Sequence, residues 1–159
     1  MKFIKSIRFD PSDTMVFDNA AGPDEWAIPG GFCFAGLGEG EIQGKSKQAF
    51  SNGFLSLESF GFSTFVSVAE IDEGRVPDLS NDLAQCFHAH FGAPSVEAAL
   101  PMAETEIQFV VDMCADVAIN TIFTLRRFFD ENGEIREEFR IVDAPGEKPH
   151  ARVWEVVED

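Results

Sequence analysis

The sequence predicts a single α+β domain over residues 1–159, with a mostly antiparallel sheet and helices packed mainly on one face. Three observations predict it. Stretches that alternate apolar and polar residues bracket a middle section of helical spacing, so strands and helices are segregated instead of strictly alternating. An Asn132-Gly133 pair between two apolar runs demands an antiparallel hairpin. A chain of 159 residues suits one domain of roughly 100–150 residues better than two small ones, and it shows no linker, repeat or low-complexity segment.

The elements follow in order. Residues 3–9 alternate, with Phe3, Lys5, Ile7 and Phe9 on one face and Ile4, Ser6 and Arg8 on the other, as in a strand. Asp10-Pro11-Ser12-Asp13 turns the chain, and short strands are expected at Thr14–Phe17, Trp26–Ile28 and Phe32–Ala35. The glycine-rich stretch Ala35–Glu41 lacks the last glycine of a phosphate-binding fingerprint, and its two glutamates would repel a pyrophosphate, so it reads as a plain loop. From Ile42 the spacing turns helical, ending near Asn52–Phe54. Phe60–Ala69 alternates again, and the small residues of its second face suit a central strand closely covered by a helix.

Asp78 and Ser80 both suit a helix N-cap, and Gly92 with Pro94 supplies a stop, so a helix is expected at Ser80–Phe91. A second runs over Ser95–Cys114, with Pro101 as a kink or new first turn. Thr105–Met113 also alternates as a strand would, but the Ala and Glu content before it favours helix.

The hairpin joins Ile119–Phe129 to Ile135–Val142. A two-residue turn would set apolar faces against polar ones. A three-residue loop, Glu131-Asn132-Gly133, with Gly133 left-handed, opposes Phe129 to Ile135, Leu125 to Phe139 and Phe123 to Ile141. The same register sets Arg126 against Glu138 and Arg127 against Glu137. A last strand is expected around Arg152–Val157.

Charge excludes whole classes of partner. With 28 acidic and 12 basic residues the net charge is −16, which opposes DNA, RNA and anionic membrane surfaces. The excess is concentrated: residues 48–125 hold 11 acids and one base, Arg75. A solvated acidic face explains this, and docking to a basic protein partner is the functional alternative. Three cysteines, an odd number with wide gaps, resemble neither a disulfide framework nor a zinc ribbon and fit a reducing compartment. The first ten residues carry charges within their apolar stretch, so they form no signal-peptide core, and no run approaches the ~18 apolar residues of a membrane span. A cytoplasmic location is expected. The chain has 17 Phe and no Tyr, which favours packing and removes Tyr from any catalytic role.

Two clusters could carry binding chemistry. Cys86 and His90, with Asp82 a turn earlier, lie at helical spacing and are residue types that hold Zn²⁺ or activate a thiolate. The ~12 Å rise from Asp82 to His90 keeps the three from one ion, so no metal or other cofactor is assigned. Arg127 opposite Glu137, among apolar neighbours, can mark an anion pocket or a subunit interface, because a buried charge is costly unless paired. The plain alternative is an edge-strand pair snorkelling to water. Glu106 lies in the apolar arc of its helix and could be an acid of raised pKa, with no partner at a spacing that supports acid–base work. No nucleophile elbow, P-loop, zincin or EF-hand motif is present.

Residues 3–13 (FIKSIRFDPSD), 53–64 (GFLSLESFGFST) and 132–140 (NGEIREEFR) together resemble a small uncharacterised bacterial family, a domain of unknown function from proteobacteria. The resemblance implies a bacterial cytoplasmic protein of this length and transfers no catalytic residue. The sequence thus points to a non-catalytic accessory or interaction protein, a homo-oligomer formed through an edge strand or a Phe-rich surface. An enzyme or small-molecule binder with a Phe-lined pocket near Cys86, His90 and Arg127 is the alternative.

Overall fold

The structure, a computed structural model, describes residues 1–142. Among these residues seven strands, β1 (Lys2–Ile7), β2 (Trp26–Ile28), β3 (Phe54–Ser56), β4 (Phe62–Ser63), β5 (Phe65–Glu70), β6 (Ile122–Phe129) and β7 (Ile135–Val142), form one sheet in the order β4-β3-β2-β1-β5-β6-β7. Every neighbouring pair is antiparallel. The helices are α1 (Ser12–Val16), α2 (Lys45–Asn52), α3 (Arg75–His90) and α4 (Val96–Cys114). The fold is α+β with the sheet dominant, as expected. No helix among the described residues is long and apolar enough to cross a membrane.

The sheet curls. Phe54 of β3 and Phe139 of β7, from nearly opposite ends of the strand order, stand 6.4 Å apart between ring centres. The face of β6 and β7 that carries Arg127, Phe129 and Phe139 is the covered one: Phe50 of α2 stacks on Phe129 at 4.8 Å, and Phe109 of α4 meets Phe139 at 5.7 Å. α3 packs chiefly on α4, and α4 lies against β1 and β2. Lys2 fastens this arrangement, its Nζ donating to the Val117 carbonyl at 2.6 Å just beyond α4, where the helix dipole is negative. The main core joins Phe3, Ile4, Val66 and Val68 of the sheet to Leu79, Leu83, Ile107 and Val110 of the helices.

The β6–β7 register is the expected one at every position, Phe129 against Ile135 through Phe123 against Ile141, with Gly133 at φ 78°. Elsewhere local chemistry moved the boundaries. Thr14–Phe17 is not a strand but the end of α1: Asp10 accepts the Ser12 N–H and the Thr14 hydroxyl donates to the Pro11 carbonyl, bonds that continue the turn. Phe32–Ala35 is not a strand either, because Gly30 at φ 77° turns the chain into a 3-10 turn over Gly31–Phe34. The single strand expected at Phe60–Ala69 is two, broken at Thr64, whose N–H and hydroxyl bond the buried Asp13 carboxylate.

β3 was hidden in the expected helix end, since all three of its residues are buried and show no alternation. α2 begins at Lys45, not Ile42. α3 begins at Arg75 and not at Ser80, because Pro77 falls in its first turn, where a missing N–H costs nothing. Pro101 stays inside α4, which is helical through residues 105–113. The expected strand at Arg152–Val157 lies outside the described residues.

Candidate functional site

The hairpin register puts Arg127 on the covered face of β6, and its side chain is completely buried. Its Nε donates to Glu137 Oε2 at 2.9 Å and its Nη2 to the Pro29 carbonyl at 2.6 Å. Nη1 reaches the carbonyls that end α2, Phe50 at 2.7 Å and, at longer range, Ala49 and Gly53. Phe34 lies 5.5 Å beneath the guanidinium carbon. Burial pulls the guanidinium pKa down, and the Glu137 carboxylate pulls it back up. The pair does not snorkel to water: α2 and the turn after β2 close over it. Gly31 explains how that turn comes so near, since a Cβ there would sit 2.8 Å from Glu137 Oε2. Five acceptors of the chain itself thus engage Arg127, and the pair ties β6, β7, α2 and the turn together.

Glu106 of α4 stands beside the same carboxylate. Burial pushes its carboxyl pKa above the ordinary range, and the Glu137 charge adds to this.

Cys86 and His90 do share a concavity. With Asp82 they form one wall of a groove of about 400 Å³, faced by Leu57, Glu58 and Phe60 of the β3–β4 turn. Arg127 does not line it. Phe60 is held at φ 59°, a left-handed backbone that bulky residues rarely adopt. The turn around it is stapled by Ser56 Oγ, which accepts the Glu58 and Ser59 N–H groups, and by Glu25, which accepts the Ser56 and Ser59 hydroxyls. Glu58 accepts the Trp26 N–H through Oε2, while Asp82 has no hydrogen bond or ion pair among the described residues. No hydrogen bond joins the Cys86 thiol to His90, and no group of three His, Cys, Asp or Glu among the described residues could hold a metal ion. Burial pushes up the Cys86 thiol. Cys33 is pushed up to about 12, by burial first and then by Cys86 nearby, with Arg127 opposing.

A second concavity of about 400 Å³ escaped the sequence reading. Phe32 of the 3-10 turn, Phe87 and Phe91 of α3's end, and Ala98 and Met102 of α4 line it. Phe32 meets Phe87 and Phe91 edge-on at 4.8 and 5.1 Å. Phe91 is 45% exposed and Met102 62%, so the pocket opens to solvent through apolar atoms. The helical spacing of Phe87 and Phe91 is visible in the sequence, but nothing local to Phe32, which alternates as a strand would, brings it beside them.

Over its residues 1–153 the sequence matches a family of unknown function, DUF6505. The chain belongs to the DUF6505 family. No curated protein and no solved structure matches it. The matched span of this DUF6505 chain takes in both concavities and the Arg127–Glu137 pair, and membership brings no activity from which their roles would follow.

Proposed function

We propose that this protein is a non-catalytic interaction domain that docks a basic partner protein on the face built by α3 and α4. One observation carries the reading: a solvent-open apolar pocket, with Phe91 and Met102 at its mouth, is set in a strongly acidic pair of helices. From Arg75 to Asp116 the chain has seven acids and one base. Such a surface attracts a positive segment and gives its apolar side chains a place to bury. It also opposes a second copy of itself, because two like-charged faces would meet.

Against catalysis stand the thiols, which burial holds in the protonated form, and the lack of a bonded Cys86–His90 pair. The three free cysteines support a reducing, cytoplasmic setting.

A homodimer is the second reading, favoured by β7, an eight-residue strand that ends the sheet order among the described residues.

The test is selection of displayed random peptides on the purified full chain. Enriched peptides should be net positive, carry a bulky apolar residue, and lose binding to Phe91→Glu and Met102→Glu. Peptides without charge bias, or equal binding to both variants, would overturn the reading. Light scattering on the same preparation reads the homodimer.

A further inference from the structure

The two concavities flank one helix. Cys86 and His90 face the groove, while Phe87 and Phe91, one residue further along in each case, face the apolar pocket. At about 100° per residue, Asp82, Cys86 and Ala89 gather on one flank of α3 and Phe91 on the opposite one, with exposed Gln85 and His88 on the crest between. His88 Nδ1 lies 2.8 Å from the Ala93 carbonyl, which ties the crest to the α3–α4 turn.

The groove differs chemically from the pocket. Two carboxylates face each other across it, Glu58 with one oxygen committed to the Trp26 N–H and Asp82 with none committed among the described residues. Phe60 lines the same groove. A guanidinium or ammonium group meets there the partners it prefers, carboxylate oxygens and an aromatic ring. Neither Glu nor Asp alone makes this a site; the neighbouring apolar pocket supplies the second anchor, and the net negative charge of the helices supplies the steering.

Building on the docking face proposed above, we infer that the partner is recognised through an extended segment crossing the second half of α3, with an apolar side chain in the Phe32–Phe91–Met102 pocket and an arginine or lysine four residues away in the Glu58–Asp82 groove. The spacing follows from dimensions. A helix with its side chains is about 10–12 Å across, and Asp82 lies about 7 Å nearer the helix start than Phe87, an offset that the long side chain of an arginine or lysine takes up. An extended chain rises about 3.3 Å per residue and returns its side chains to one face every second residue, so four residues span ~13 Å with both side chains pointing down. Two residues span only ~7 Å and fall short.

The experiment is a ¹H–¹⁵N NMR titration of the full chain with end-blocked peptides, Leu-Thr-Thr-Thr-Arg and its reverse, Arg-Thr-Thr-Thr-Leu. Controls replace Arg by Glu, replace Arg by Leu, or shorten the spacer to one Thr. In one chain direction the four-residue spacing should shift both the 57–61 turn and residues 82–102, and bind roughly tenfold tighter than the short spacer or the Glu peptide. Asp82→Asn and Glu58→Gln should each weaken that peptide and leave the Leu-Thr-Thr-Thr-Leu peptide unchanged. If Arg and Glu peptides bind alike, or the groove variants change nothing while Met102→Glu still abolishes binding, the bipartite reading is wrong and the docking face stands. If no peptide shifts either concavity, both fall.

Discussion

Arg127 donates to the Phe50 carbonyl at 2.7 Å across 77 residues of chain, so β6 holds the end of α2 through one guanidinium. The helix end is the negative pole of its dipole, and the cation sits against it with Glu137 as counter-charge.

Removing that cation should be among the most damaging single changes. Arg127→Ala leaves Glu137 and four backbone carbonyls without their donor, and should cost about 3–5 kcal/mol in urea unfolding. Arg127→Lys should recover only part, because one ammonium cannot serve acceptors spread around a planar fork. Arg126→Ala, one residue earlier and paired with Glu138 in the open, should cost under about 1 kcal/mol.

Glycine at 31 is required by proximity. Gly31→Ala brings a methyl to 2.8 Å from Glu137 Oε2, and should lower the thermal midpoint by disturbing the buried pair. Gly40→Ala has nothing within 4 Å and should leave the midpoint unmoved. Equal effects would disconnect the turn from the ion pair.

Two glutamates should give opposite pH signatures. Burial and Glu137 hold Glu106 above the ordinary carboxylate range, so its contribution is complete below that range and is lost as pH rises through its folded-state value. Glu106→Gln should therefore stabilise the protein at neutral pH, with the gain fading as pH falls. For Glu25, burial pushes upward but hydrogen bonds from Ser56, Ser59 and Gly22 outweigh it, leaving its pKa lowered. Its contribution is present above the ordinary range and lost as pH falls through its folded-state value, so Glu25→Gln should destabilise at neutral pH. Urea melts from pH 3 to 8 read both signs.

The thiols should be slow in the folded protein. Cys33 is pushed up to about 12 and Cys114 to about 11, each mainly by burial, and Cys86 is raised for the same reason. Reaction with a thiol-exchange reagent at pH 8 should be slow until urea is added, when all three titrate. A fast native thiol would reopen nucleophilic chemistry at the groove.

The hairpin was legible residue by residue, because alternation over eight-residue strands leaves one register that pairs apolar faces. β3 was not, because a three-residue strand buried on every side carries no period. The break at Thr64 was equally silent, since it depends on a carboxylate from Asp13, 51 residues away. Of the candidate site, Cys86 and His90 could be placed on one helix flank from spacing. Their facing wall, Glu58 and Phe60, could not, because a tight turn held by Ser56 and Glu25 puts it there.

By itself the sequence determined the α+β class, the helical middle, the hairpin register and the acid-rich surface, all properties of local period and charge count. Only the tertiary structure decided that Arg127 is buried and not snorkelling, and that an apolar pocket and an acidic groove share one helix. Both outcomes turn on which distant segment covers a given face. That is set by packing among residues far apart in the chain, which no local pattern records.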